Sequence, residues 1–389
     1  MPDNPRKVVL LIESSSACGR KMLRGIAKYS SLHKPWAFFL EPLSYKEIPA
    51  RKNTLSWLRE IEPDGIIVRD LEKVEQIAAM GKPVIVGSTV KKGISNLPMI
   101  VTDSEMIGKM GAEHFLERGF RDFAYCGYDD MAWSLKRSES FAARVLQSGC
   151  RIHQYQQPRG KMQRIWKKEQ NRLAAWLEAL PKPVGIMTCC DYRGQQVMEA
   201  CKLARIQVPE EAAVLGVDND EVICNLFLPP LSSIDIDFEK AGYDAAELLD
   251  RLMAGEMMKS QKIIALPSLI ETRQSTDIFA MQDVEVAKAV RYIREHAREM
   301  IQVPDVIEAT TLSRRCLLDR FHRVLGRSIH EEITRVRIDK ISRLLLETNQ
   351  SIAQIAIKLG YTGDDHLARY FKNETGMTPL AFRKQFITK

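Results

Sequence analysis

At 389 residues the chain is too long for a single compact core and suits two or three domains of ordinary size. A composition of 45% hydrophobic and 28% charged residues excludes disorder and fits a soluble globular protein. The net charge of +7 is segregated: residues 284–389 hold 19 Lys and Arg against 13 Asp and Glu, whereas the first 283 hold 38 against 37. That points the C-terminal part toward a negatively charged partner, most commonly nucleic acid.

The eight cysteines form no CxxC pair and no regular spacing, so reduced thiols in a cytoplasmic protein are expected, with no metal and no cofactor. The apolar run Val8 to Ile12 is followed at once by Glu13 and serines and reads as a strand, not a signal sequence. No stretch approaches the roughly 20 apolar residues needed to cross a bilayer, so no membrane partner is expected.

In chain order, strands are predicted at Val8 to Ile12, Gly65 to Val68, Val84 to Val86, Phe123 to Tyr125, Gly185 to Thr188 and Ala213 to Val217. Helices are predicted at Gly19 to Tyr29, Leu71 to Met80, Ser104 to Glu117, Lys167 to Leu180, Arg193 to Ala204 and Phe238 to Met253. This alternation implies parallel sheets covered by helices, with ligands at the carboxyl ends of the strands. The basic stretch Arg159 to Arg172 reads as a solvated helix edge, with Trp166, Leu173, Trp176, Leu177 and Leu180 spaced toward a core. After about residue 275 only short helices and polar turns follow. Residues 1–275 are therefore taken as one α/β module, 276–284 as a linker and 285–389 as an all-α module.

In the all-α module, 303–325 breaks into helix, turn and helix. Pro304 suits a first helical position, Ser313 can cap the second helix, and Leu317 and Phe321 form an inward i, i+4 pair. Arg314, Arg315, Leu318 and Asp319 are left on or near the other face. The pattern returns at 351–375: Ser351 and Gln354 make a capping box, Gly360 ends the first helix, and Leu367 and Phe371 repeat the inward pair. Asp365, His366, Arg369 and Lys372 then project outward. Ile329 to Glu347 reads as one amphipathic helix of roughly 28 Å, close to the roughly 34 Å that separates successive major-groove windows.

The string from Ser351 to Phe386, with Ile355-Ala356, Gly360-Tyr361, Leu367, Arg369, Phe371-Lys372, Gly376, Thr378-Pro379 and Phe382-Arg383, resembles the AraC/XylS family of bacterial transcription regulators. That resemblance implies sequence-specific binding of double-stranded DNA, with the outer faces of the two second helices reading bases. Arg315, Leu318 and Asp319 carry this in the first unit; Asp365, His366 and Arg369 carry it in the second. Arg369 is the strongest single candidate, because an arginine can grip guanine with two hydrogen bonds. Asp319, where a basic residue is frequent, and Leu318, limited to apolar contact, make the first unit a departure from the family.

Three strings of the α/β module, from Val101, Gly185 and Leu231, resemble the sugar-binding half of LacI-type repressors and periplasmic binding proteins. The whole is thus expected to be multidomain: a two-lobed α/β sensor with parallel sheets, then an all-α double helix-turn-helix domain. The pairing of the two module types resembles bacterial activators of xylose operons, which implies a small sugar effector, D-xylose or another pentose, a homodimer, and RNA polymerase as a partner. A sugar site needs planar hydrogen-bonding groups and an aromatic face. Candidates at strand ends are Glu13 and Ser14, Asp191 and Arg193, and Asp218 and Asn219; Trp133 and Arg137 are placed in the loop region after the Phe123 strand. Ile236 stands where relatives often have a polar ligand group. Two alternatives stay open at this point: a repressor or a regulator of a different small molecule, and, more distantly, an enzyme on a doubly wound fold. The latter has no GxGxxG, P-loop, HExxH or GxSxG to support it.

Overall fold

The computed structural model describes residues 5–33, 35–40, 54–69, 74–87, 97–157, 166–256, 261–278, 283–348 and 350–386. The chain divides into two compact units, one comprising Met1–Glu113 and Asp122–Asp277, the other His114–Arg121 and Ile278–Lys389.

The first unit contains two six-stranded sheets. Strands β1 (Lys7–Leu11), β2 (Ala37–Leu40), β3 (Gly65–Arg69), β4 (Val84–Gly87) and β5 (Met99–Thr102) precede β6 (Asp122–Cys126), β7 (Arg151–Gln154), β8 (Val184–Thr188), β9 (Ala212–Val217) and β10 (Ser232–Ile236). The last two are β11 (Lys262–Ala265) and β12 (Pro267–Glu271). The first sheet has the order β11-β5-β4-β3-β1-β2 and the second β12-β10-β9-β8-β6-β7. All pairings are parallel except β10 with β12. The chain passes between the sheets after β5, β10 and β11, which makes two lobes joined by several strands of backbone. Central strands such as β8 (VGIMT) and β9 (AAVLGV) are buried throughout, as strands covered on both faces must be.

The helices of this unit are α1 (Ala17–Leu32), α2 (Thr54–Ile61), α3 (Val74–Ala78), α4 (Ser104–Leu116), α5 (Ala132–Gln147), α6 (Trp166–Ala179), α7 (Asp191–Leu203), α8 (Glu221–Leu226) and α9 (Phe238–Met253). Ser16 starts α1 by accepting a hydrogen bond from Gly19 N. The helices α1 and α9 touch backbone to backbone through two glycines. A Cβ on Gly25 would stand 1.9 Å from Glu239 O, and one on Gly242 would stand 2.2 Å from Met22 O. No side chain fits at either place.

Two sequence expectations change here. Trp133 and Arg137 lie in the first turns of α5, not in a loop. Trp166 is 63% exposed at the start of α6, while Leu173, Leu177 and Leu180 do enter the core. Residues 159–165 of the basic stretch, and 71–73 of the helix predicted at Leu71 to Met80, lie outside the described residues. At the end of the unit, Ser275 and Thr276 are fully buried: Ser275 Oγ donates to Val214 O at 2.6 Å and Thr276 Oγ1 donates to Ser232 Oγ at 2.7 Å.

The second unit holds α10 (Val284–Glu295), α11 (Val303–Glu308), α12 (Arg314–Leu325), α13 (Ile329–Glu347), α14 (Ile352–Lys358), α15 (Asp364–Thr375) and α16 (Pro379–Phe386). It has two cores. One gathers Val286, Val290, Val306, Leu317 and Phe321 onto Ile329 and Ile333 at the start of α13. The other gathers Ile355, Leu359, Leu367 and Phe371 onto Ile341 and Leu345 near its end. One amphipathic helix thus serves as a spine for two helix-turn-helix units. Capping boxes at Ser328 and Ser351 begin α13 and α14, and left-handed Gly326 and Gly376 end α12 and α15. Ser313 sits at the start of α12 in extended conformation, but its hydroxyl makes no capping hydrogen bond.

Candidate functional site

Between the lobes of the first unit lies a cavity of about 60 Å³. Arg69, at the end of β3, lines it beside Gly87, where a Cβ would stand 3.0 Å from the Arg69 stem. Met22 and Phe238 form one apolar wall, and Ile100, Val101 and Thr102 another. The second lobe contributes Trp133, Arg137 and Asp218. The Arg137 guanidinium lies 4.8 Å from the Trp133 ring centroid, donates to Cys189 O and reaches Thr102 Oγ1 at 3.5 Å. Two buried donors at this place, Trp133 Nε1 and Arg137 Nε, have no hydrogen-bond partner.

The turn after β9 carries the carboxyl side of the cavity. Asp218 and Asn219 both have positive φ, 103° and 48°, which is costly for residues other than glycine. The turn is held from below: Asp191 accepts from Asp220 N at 2.7 Å and from Ser233 Oγ at 2.6 Å. Burial, then repulsion from Asp218, pushes the Asp191 carboxyl up to about 8. The Asp218 carboxyl is also raised by burial, although Arg137, Arg69 and Lys21 pull it back. Across the cleft, Asp220 accepts from Ala17 N at 3.1 Å and from Arg20 Nη2 at 3.0 Å, and Lys21 donates to Asp218 O at 3.0 Å and pairs with Asp235.

Of the eight residues proposed from sequence for this site, the structure gathers Trp133, Arg137 and Asp218 in one cavity. Asp191 lies beneath it and shapes the turn. Arg193 is 1% exposed and points elsewhere in the second lobe, paired with Glu169 at 3.0 Å and set between the rings of Tyr128 and Tyr155. Asn219 accepts from Arg273 Nη2 at 2.9 Å. Glu13 and Ser14 are exposed and do not line the cavity; Glu13 accepts from Ser15 Oγ at 2.5 Å, and Ser14 O accepts from Arg20. Ile236 is fully buried, so the cavity wall is taken over by Phe238 two residues on. Sequence reasoning missed Arg69, Met22 and Phe238. Arg69 had a signal, since it directly follows the apolar run Gly65 to Val68.

In the second unit, Asp365, His366, Arg369 and Lys372 are exposed along α15, with His366 Nδ1 2.6 Å from Thr362 Oγ1. Along α12, Arg314, Arg315 and Asp319 are exposed, but Leu318 is half-buried against the first core. The turn before α12 is fixed from outside the helix-turn-helix itself: Glu285 on α10 accepts from Thr311 N at 2.7 Å. Arg383 ties the other end, donating to Leu345 O at 3.0 Å, a carbonyl that α13 leaves open at its C-terminus, and to Gln350 O at 2.8 Å in the turn that follows. Among the described residues, no helix is long and apolar enough to cross a membrane, and no group of three or more His, Cys, Asp or Glu could hold a metal ion.

Residues 112–276 match the periplasmic binding protein-like domain family, and residues 306–385 match a helix-turn-helix domain family. A sensor of that kind joined to paired helix-turn-helix units defines a sugar-responsive, DNA-binding transcription regulator, not an enzyme. The chain is 31% identical over 392 residues to the xylose operon regulatory protein of Haemophilus influenzae, covering 98% of this chain and 99% of the relative. To that of Escherichia coli K12 it is 31% identical over 387 residues, covering 97% and 96%. A solved structure described as a xylose-binding transcription activator matches over 99% of both chains, at 28% identity and a TM-score of 0.61. A periplasmic binding protein/LacI transcriptional regulator from Alkaliphilus metalliredigens, solved with D-xylulofuranose, matches 70% of this chain and 99% of its own, at 21% identity and a TM-score of 0.56. The chain belongs to the family of xylose operon regulatory proteins.

Proposed function

We propose that the chain is a cytoplasmic activator of pentose-catabolism genes that binds D-xylose in the cavity between its lobes. The observation that carries this reading is the pair of unpartnered buried donors, Trp133 Nε1 and Arg137 Nε, in a cavity that also holds the Asp218 carboxyl. A buried donor without a partner is costly. Sugar hydroxyls supply acceptors for both and donors for Asp218, while the indole face suits the apolar side of the ring. Each water needs roughly 10–15 Å³ of such space, so the cavity is tight for a pentose. Binding therefore calls for the lobes or side chains to adjust.

Sugar couples to DNA only if it binds one lobe arrangement more tightly than another. The contacts of Arg20 and Lys21 with Asp220, Asp235 and Asp218 O are the groups such an arrangement would make or break. Two chains in a homodimer would then present α12 and α15 to operator half-sites beside RNA polymerase. Arg315, Asp365, His366 and Arg369 are the proposed base readers, with Arg314 and Lys372 at phosphates and Leu318 limited to the edge of an apolar contact. Binding to double-stranded DNA should weaken steeply with salt. Calorimetric titration of D-xylose, L-arabinose and D-glucose into the full chain and Trp133→Ala tests the effector reading. Heat from D-xylose that vanishes in the variant is expected; equal heats from both proteins would sink it.

A further inference from the structure

We infer that the second lobe carries a further binding site, for a neutral polyhydroxylated molecule, in the cavity at the carboxyl ends of β6 and β7. This cavity measures about 650 Å³, against about 60 Å³ for the one between the lobes. Its size falls within the roughly 300–1,000 Å³ of small-molecule sites, and it lies at the strand ends where parallel sheets bind ligands.

The wall chemistry selects the ligand. Tyr125 and Tyr128 offer aromatic rings, Asp129 and Asp130 carboxyls, and Gln154 and Gln157 amides. Among the described lining residues the carboxyls of Asp129 and Asp130 favour a ligand that brings hydroxyl donors. A sugar's hydroxyls suit carboxyl and amide groups, which both accept and, through the amides, donate. Its apolar face suits the tyrosines.

The walls are braced by hydrogen bonds to one another. Asp129 Oδ2 accepts from Gln157 N at 2.8 Å while Gln157 Oε1 accepts from Asp129 N at 3.4 Å, a reciprocal clamp at the rim. Gln154 Nε2 donates to Ser138 Oγ at 3.2 Å, and Ser134 Oγ accepts from Tyr128 N at 2.9 Å. Braced walls lose little freedom on binding. The site also adjoins the effector cavity: Tyr128 meets Trp133 edge-on with ring centroids 6.4 Å apart, and Trp133 lines the smaller cavity. One wall therefore separates two places for sugar, so a molecule in the larger cavity bears on the aromatic face of the smaller.

The choice of probe rests on the pentose reading above. The shared chemistry is a neutral pentose unit, which a disaccharide or a second monosaccharide can supply. The test titrates D-xylose and a β-1,4-linked disaccharide of D-xylose into the full chain, Leu135→Trp and Gln154→Ala. Leu135 lines the cavity and is 44% exposed, so a larger ring there fills the space without entering the core. The disaccharide is expected to bind the unmodified chain and to weaken about tenfold or more in Leu135→Trp, and less in Gln154→Ala. The first equivalent of D-xylose should stay within about twofold. One disaccharide per chain that displaces D-xylose identifies a ligand spanning both cavities. A second equivalent of D-xylose that disappears in Leu135→Trp identifies a separate monosaccharide. Either supports the site. A single equivalent of D-xylose with no disaccharide binding, or binding unchanged in both variants, overturns it. Trp133→Ala keeps the two readings apart: it should abolish the first equivalent alone, and intact D-xylose binding there counts against the effector reading only.

Discussion

Two carboxyl sites, one in each unit, treat charge in opposite ways. In the sensor, Asp191 is buried and Asp218 is half-buried near it at a cavity, and desolvation dominates, holding both carboxyls above their usual range. In the DNA-binding unit, Glu332 is fully buried at the start of α13, but Arg327 meets it at 2.6 Å and Arg335 at 2.8 Å. Burial opposes its ionisation, yet the two guanidiniums hold its carboxyl below the usual range. The first unit leaves Trp133 Nε1 and Arg137 Nε without partners at its cavity. The second ties Glu332 to two arginines inside and keeps Arg314, Arg315, Arg369 and Lys372 exposed on α12 and α15.

The sharpest way to break this contrast is Glu332→Ala, which takes the carboxylate from Arg327 while Arg335 keeps Glu117 at 2.6 Å. It should destabilise the second unit by about 1–3 kcal/mol, read as an early transition in urea with the first unit's transition unmoved. A change of a few tenths would mean that the ion pairs are ornamental.

The pH dependence should run in opposite directions. Below about pH 4 the Asp191 site is protonated folded and unfolded, and its contribution is fully present. Between about 4 and 8 the unfolded chain has released the proton and the folded chain has not, so stability falls, by at most about 1.4 kcal/mol per unit. Above about 8 the loss is complete. Asp191→Asn keeps an acceptor for Asp220 N, and Ser233 can reverse its hydroxyl; the variant should therefore gain on the unmodified chain as pH rises through that window. For Glu332 the pairing contributes above the ordinary glutamate range and is lost as pH falls through its lowered folded value. Parallel pH profiles for Asp191→Asn and the unmodified chain would contradict the sensor half of the contrast.

Smaller effects are expected at the ligand-facing groups. Arg369→Ala should weaken specific DNA binding by about 1–3 kcal/mol and relax preference at one base pair, as read from half-site variants in a mobility shift. Trp133→Phe keeps an aromatic face but removes the orphan indole N–H, and should cost about 1 kcal/mol of sugar affinity. Unchanged affinity would assign that donor no ligand.

The alternating apolar runs made the central strands and most helices of the sensor legible, because buried parallel strands are continuously hydrophobic. The edges were not: β7 (RIHQ) is exposed or half-exposed throughout, and β12 joins antiparallel after a short connection that breaks the alternation. The start of α5 was read as a loop because its first turn follows Asp129-Asp130-Met131, and Met131 offers no capping side chain. Position after a strand brought Asp218 to the cavity and Asp191 near it, but spacing does not tell which way a side chain in a first helical turn points, and Asp191 turned beneath the cavity while Arg193 turned into the lobe. In the second unit the inward pairs Leu317/Phe321 and Leu367/Phe371 fixed the second helix of each helix-turn-helix unit from sequence. The helix α10 was legible but unread: Asp283 caps it by accepting from Glu285 N and Val286 N, ahead of an apolar stripe.

The central claim is that sugar in the sensor changes how the paired helix-turn-helix units bind DNA. The direct measurement is the affinity of the full chain for its operator as D-xylose is titrated, with Arg137→Ala alongside. The account expects operator affinity to rise with sugar in the unmodified chain and to stay flat in the variant, with both proteins alike when sugar is absent. Operator affinity indifferent to D-xylose, or equally responsive in Arg137→Ala, would contradict it.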